Sequence, residues 1–158
     1  MSEDQKELYS LLIPLRNERL LVPRMCVAEV IAFADSERER GEESPDWYLG
    51  TIDWNGRRLP VVSFDVGPPD ERKSKRSRTR IVVFHAITDA LKGGFYGVLT
   101  QGFPQLVRVN PDVLGLETEQ PLPEGQPMLC RARMIHEYPL IPDVEELERM
   151  IGDVAAPH

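Results

Sequence analysis

Cysteine is almost missing from this chain. Cys26 and Cys130 are the only two, and thiols this far apart form no disulfide framework. They read as small buried apolar side chains in a reducing compartment. Histidine is nearly as scarce, with His85, His136 and His158 the full complement. A metal centre needs two or more closely spaced His, Cys or carboxylate ligands. Cys130 with His136 falls short of that, so the histidines read as structural and no metal or cofactor is expected. No stretch reaches the ~18 apolar residues of a membrane span. The N-terminal residues are acidic and the apolar stretch after them is interrupted by Pro14 and Arg16, unlike a signal peptide. A cytoplasmic chain is expected. Positive charge is in deficit, 19 Lys and Arg against 26 Asp and Glu, a formal net charge of -7. That balance argues against nonspecific nucleic-acid binding as the main task. There is no Gly-x-Ser-x-Gly, no Walker A sequence and no Rossmann fingerprint. The plentiful acids fall in loops and near the C-terminus, with no sign of the pocket that acid–base pairs require. A chain of this kind is expected to bind rather than to react, and no enzyme is expected.

What the chain does have is short β signals. Its 158 residues suit one domain or two tightly fused subdomains that bury about 70% of the unfolded surface. Hydrophobic content of 41% and charged content of 28% fit a globular protein. The organising stretch runs from Trp47 to Phe64. Asn55-Gly56 is a type I′ hairpin signal, because both central residues of that turn need positive φ. A two-residue loop pairs Trp54 with Arg57, Asp53 with Arg58, Ile52 with Leu59, Thr51 with Pro60 and Gly50 with Val61. Side chains alternate along a strand, so Ile52, Leu59 and Val61 share a buried face, and Asp53 and Arg58 form a charged cross-strand pair on the other. Pro60 donates no hydrogen bond and marks a sheet edge or a bulge.

Before that hairpin, Leu8–Leu15 and Leu20–Val22 read as another, with Leu11, Ile13 and Leu15 facing inward. Pro23 opens a short helical or irregular turn, and β-branched residues favour a strand over 27–33. The charged stretch from Asp35 to Asp46 reads as a solvated loop. From Arg72 to Arg80 six positive charges fall in nine positions, with no interleaved aromatic to stack on a base. This basic stretch 72–80 reads as a solvated loop, with nucleic acid or an acidic partner as the alternative ligand. Ile81–Ala86, Phe95–Thr100 and Pro104–Val109 follow as strands, with Gly97 where a neighbour approaches closely. Proline and glycine make 115–127 a loop. Met128–Ile135 alternates, and Tyr138–Ile141 is the last strand. Then comes one helix, with Asp143 at the N-cap and Glu146 three residues on. Val144, Leu147, Met150 and Ile151 form its apolar stripe, and Gly152 is expected to stop it. The fold class is mainly β, a barrel or sandwich with a C-terminal helix.

Four segments in order then resemble the CheW-like domain. Arg19-Leu-Leu-Val-Pro through Val27-Ala-Glu-Val-Ile is similar to its opening, and Tyr48 through Val62 to its central signature. Arg80-Ile-Val-Val-Phe with Tyr96-Gly-Val-Leu-Thr resembles the strand pair that follows, and Pro142-Asp-Val-Glu-Glu-Leu the closing strand-to-helix step. The resemblance implies a CheW-like fold of two SH3-like, five-stranded β-barrel subdomains with a C-terminal helix, forming one domain over 8–152 with flexible termini at 1–7 and 153–158. It implies a non-enzymatic adaptor that couples chemoreceptor signalling tips to a CheA-type histidine kinase. Within the family the chain is most similar to the ChpC-type accessory proteins of systems controlling type IV pili and twitching motility. By position, Val27 and Glu29 match the receptor-contacting strand and Phe103 the second wall of that groove. Gly50, Gly56 and Pro60 are architectural. Three residues depart from the pattern: Asn55 stands where the family has Arg, Ser63 replaces an Asp, and Gln101 replaces another. Neither Asn nor Ser reproduces a bidentate Arg–carboxylate contact, so Arg57 or Arg58 becomes the candidate to take the contact over. These departures favour an accessory or variant adaptor.

Overall fold

Runs such as Leu20-Leu21-Val22 and Ile81-Val82-Val83-Phe84 do not alternate, which demands apolar cover on both faces of a strand. The architecture supplies it. A computed structural model describes residues 7–33, 45–65 and 79–155. In chain order the elements are β1 (Leu8–Pro14), β2 (Arg19–Pro23), a 3-10 turn (Arg24–Cys26), β3 (Val27–Ala32), β4 (Tyr48–Trp54) and β5 (Arg57–Val62). There follow β6 (Arg80–His85), β7 (Phe95–Thr100), β8 (Gln105–Val109), β9 (Gly115–Glu117), β10 (Met128–Arg133), β11 (Leu140–Pro142) and the helix α1 (Val144–Ala155). They form a six-stranded sheet ordered β8-β1-β2-β11-β10-β9 and a five-stranded sheet ordered β3-β6-β7-β5-β4. The charged stretch 35–46 and the basic stretch 72–80 lie outside the described residues, apart from Pro45, Asp46, Thr79 and Arg80.

Three apolar cores explain the unalternating runs. Ile52, Leu59, Val61, Ile81 and Val83 fill the curl of the five-stranded sheet. Leu12, Leu21 and Ala132 fill that of the six-stranded sheet. The largest core lies between the sheets, where Ile13, Leu20 and Val22 of one meet Val62, Val82, Phe84, Tyr96 and Val98 of the other, with Leu147 and Ile151 of α1 packed in. Neighbours in sequence therefore serve different cores: Leu12 and Ile13, Leu20 and Leu21, Val61 and Val62. Burying one such side chain is worth roughly 1.5–3 kcal/mol. The inward set of β1 is thus wider than alternation predicts. Leu12 is 2% exposed, as deep as Ile13 but on the opposite face.

The central hairpin folds in the expected register, from Trp54 opposite Arg57 to Gly50 opposite Val61. Asn55 has φ 50 and Gly56 φ 76. Gly50, at φ 105, sits where the register slips between Tyr48 and Gly50. Pro60 does not lie on an edge strand, because β5 is flanked by β4 and β7. Counting ladder bonds from the turn makes Thr51–Pro60 a non-hydrogen-bonded pair, so the ring breaks no bond to β4, and the parallel pairing with β7 begins one residue later, at Val61.

Two expectations are corrected. The stretch after Gly115 is not all loop: Gly115–Glu117 pairs with Arg131–Arg133, a strand too short to show any periodicity. And α1 runs through Gly152 to Ala155. Gly152 lies inside the helix because a Cβ there would stand 2.8 Å from the Ala90 carbonyl oxygen. The start of α1 is as read, with the Glu146 backbone N–H donating to Asp143 Oδ1 at 3.1 Å. Arg131 is buried at 6% exposure. Its two terminal nitrogens donate to the Glu18 carboxylate at 2.8 and 3.0 Å and to the Tyr138 and Pro121 carbonyls, fastening β10 to the β1–β2 turn.

Candidate functional site

Positive φ at Asn55 and Gly56 turns the hairpin tightly enough to leave Trp54 and Arg57 side by side at one end of the five-stranded sheet. Trp54 Nε1 donates to Glu29 Oε2 at 2.6 Å. Because β3 and β4 are the outermost strands of that sheet, this bond links its two margins and closes the curl. The Trp54 ring meets Phe95 edge-on at 4.9 Å. Arg57 lies over the Phe95 ring at 5.2 Å and donates to the Gly93 carbonyl at 3.0 Å, and His85 flanks Phe95 at 5.3 Å. So Glu29, Asn55 and Arg57 come together here. Arg58 instead lies along the hairpin's outer face, donating to Asp53 at 3.3 Å and to Thr51 Oγ1 at 2.7 Å.

Val27 and Phe103 fall elsewhere. Val27 is partly buried against the inter-sheet core, next to the register slip between Val27 and Glu29. Phe103 lies beyond Thr100, and β7 separates it from Phe95 by roughly 17 Å at strand rise. It is 65% exposed, with the Arg80 guanidinium 4.7 Å above its ring. The Gln101 N–H donates to the Pro14 carbonyl at 2.9 Å, which holds this crossover against the other sheet.

A second group of side chains was missed by sequence reading. Tyr9 pairs with Arg108 and Leu11 with Leu106, so Tyr9 and Leu106 extend the face that carries Leu11 and Ile13. That face carries the inter-sheet core further in, but Tyr9 is 47% and Leu106 51% exposed. Arg24 lies over the Tyr9 ring at 5.6 Å, beside Met25, which is 80% exposed. An apolar shelf thus continues the inter-sheet core into solvent. The signal available was the alternation of Tyr9, Leu11 and Ile13, one step longer than a strand needs to fill its own core.

At the junction of the sheets two of the unusual positions meet Asp65, Gln101 at its carboxylate and Ser63 at its backbone. Asp65 accepts the Arg16 backbone N–H at 3.1 Å and the Gln101 side-chain amide at 3.4 Å, and its own N–H donates to Ser63 Oγ at 3.0 Å. Burial pushes the Asp65 carboxyl above its ordinary range, against the pull of the Arg16 N–H. The acid missing at position 63 is present two residues along the chain, within reach of the Gln101 amide.

The CheW-like domain matches residues 10–149, most of the chain. The chain belongs to the CheW-like domain family. The crystal structure of the scaffolding protein TtCheW from Thermoanaerobacter tengcongensis superposes with a TM-score of 0.66 at 16% identity, over 87% of this chain and 89% of that one. At that identity the likeness concerns the fold, two curled sheets and their crossover. No curated protein matches the sequence. Within this CheW-like fold the six candidate contact residues divide into an end cluster (Glu29, Asn55, Arg57), a hairpin face (Arg58), a core-facing strand residue (Val27) and an exposed aromatic at the crossover (Phe103). Among the described residues no three His, Cys, Asp or Glu side chains gather as a metal site would need, and no helix is long and apolar enough to cross a membrane.

Proposed function

We propose that this CheW-like chain is a non-enzymatic adaptor that couples a chemoreceptor signalling tip to a CheA-type histidine kinase. In this reading the helical receptor tip lays apolar anchors along the shelf of Tyr9, Met25 and Leu106, with Val27 behind it and Phe103 at its far end. Helix-in-groove recognition uses anchors at i, i+3 and i+4 spacing, and aromatic residues dominate such contacts. The kinase's regulatory domain docks on the barrel end around Asn55, Arg57 and Phe95. Arg57 supplies there the cationic contact that Asn55 does not. The observation that carries the reading is the exposed shelf: four large apolar side chains, each close to half exposed or more, at the margin of an otherwise filled inter-sheet core.

The unusual residues at 55, 63 and 101 fit an accessory adaptor of the ChpC type, serving a system that controls type IV pili and twitching, and working in the cytoplasm. Titrations of the purified protein against a receptor signalling hairpin and against the kinase regulatory domain test this. Binding to each, with Phe103→Ala weakening the first and Arg57→Ala the second, is the expected result. Binding to neither at concentrations on the order of tens of micromolar contradicts it.

A further inference from the structure

Glu148 does not behave like the other acids of α1. It is 0% exposed, yet it lies in a helix whose other acids are only partly covered or open to solvent. Its carboxylate is held by three donors from the connection between β6 and β7: the Ile87 N–H at 2.8 Å, the Thr88 N–H at 2.8 Å and the Thr88 hydroxyl at 2.6 Å. Thr88 Oγ1 in turn accepts the Ala90 N–H at 3.2 Å. Ionised acceptors make hydrogen bonds about twice as strong as neutral ones. The charge reaches inward as well. The Cys26 thiol and the Tyr96 phenol are both pushed up, first by burial and next by the negative charge of Glu148.

Beyond Leu91 and the close approach of the Ala90 carbonyl to Gly152, the connection being held has few anchors. Ile87 is 55% exposed, and of residues 85–94 only Leu91 is buried in the inter-sheet core. Its far side touches the candidate site. Ala86 N–H donates to the Gly94 carbonyl at 2.8 Å, and the Gly93 carbonyl is the acceptor that fixes Arg57 at 3.0 Å. One continuous path therefore runs from the Glu148 carboxylate through Ile87 and Thr88 to Gly93, and from there to Arg57 over Phe95.

We propose that Glu148 is a positioning residue: by gripping the β6–β7 connection from the helix it sets where Arg57 and Phe95 stand, and so how well the barrel end receives the kinase's regulatory domain. This rests on the reading of that end as a docking surface, but the positional link itself concerns the isolated protein and is testable without a partner.

The test uses the full chain carrying Glu148→Gln, which keeps the shape and removes the charge, and Thr88→Ala, which removes one donor and leaves the acid in place. Amide exchange at Ile87 and Thr88 and the Arg57 Nε–H resonance are read on the protein alone. Affinities are then measured for the kinase regulatory domain and for the receptor hairpin. We expect both amides to exchange faster, the Arg57 resonance to move, and the kinase-domain Kd to weaken by about tenfold while the receptor Kd changes by less than about twofold. Thr88→Ala gives the same pattern at smaller amplitude, and stands in should Glu148→Gln not fold. An unmoved Arg57 resonance in exchange-competent variants overturns the positional link. Equal weakening of both affinities overturns it too, since general destabilisation does that. A moved resonance with unchanged kinase affinity, while Arg57→Ala abolishes it, overturns the functional consequence and leaves the docking surface standing. Wild-type protein that binds no kinase domain overturns the docking surface itself.

Discussion

Single positions carry more than their type implies. Gly97 is the clearest, since a Cβ there would stand 2.5 Å from Ile81 Cγ2 and 3.3 Å from Leu59 Cδ2. Gly97→Ala is expected to cost about 1–3 kcal/mol by overpacking, read as a lower urea midpoint with an unchanged slope. The close approach was legible beforehand, because a glycine within an apolar strand marks one. Asp65 was not, because no local pattern brings positions 16, 65 and 101 together. Its folded pKa lies above the unfolded one. The unfolded state then binds fewer protons over the window between the two values, and stability falls as pH rises through it. Starting from about pH 4, where an unfolded Asp titrates, wild type should lose stability relative to Asp65→Asn until the folded carboxyl is fully ionised, and run parallel to it above. Thermal melts of the pair across that range check the sign; a gap moving in favour of wild type contradicts it.

Elements with a strong local code were read well. The hairpin register followed from two residues, Asn55 and Gly56, because positive φ at both admits a single loop length. The start of α1 followed from Asp143, whose carboxylate accepts the Glu146 N–H. Asp143→Ala should cost about 1 kcal/mol, measured by chemical denaturation. The end of α1 was misread because Gly152 answers to a neighbour, the Ala90 carbonyl, rather than to helix termination. Glu148 had a signal that went unused. Positions 144, 147, 148 and 151 follow the i, i+3, i+4, i+7 template, so an acid stands within the apolar stripe itself. Edge strands were the weakest. β9 has three residues, and its pairing with β10 depends on chain 15 or so residues away. The buried Arg131 belongs to the same class: nothing local links it to Glu18. Glu18→Ala strands its guanidinium and should cost about 2–3 kcal/mol, below a fully buried pair because Glu18 is a third exposed. A loss within 0.5 kcal/mol would show that Pro121 and Tyr138 suffice to satisfy it.

At the scale of the molecule, the mainly β class was legible from many short strands and one closing helix, whereas the two-barrel plan came from the resemblance to the CheW-like domain. The size of the core between the sheets was not legible, because alternation assigns each strand one buried face and here most central strands have two. That shared core makes the two sheets a single body. At its margin it leaves the exposed shelf that is proposed to receive a partner. The candidate residues were partly legible as a spatial group: Glu29, Asn55 and Arg57 do lie together, around Trp54 and Phe95, whereas Tyr9 and Leu106 come together only through long-range pairing. The most direct measurement is a competition-free titration of the wild-type chain and of Phe103→Ala, Leu106→Ala and Arg57→Ala against a receptor signalling hairpin and a CheA-type regulatory domain. We expect wild type to bind both, the shelf variants to lose the receptor by about tenfold or more while keeping the kinase, and Arg57→Ala to do the reverse. Variants that leave both affinities untouched, or a wild-type chain that binds neither, would contradict an adaptor built on these two surfaces.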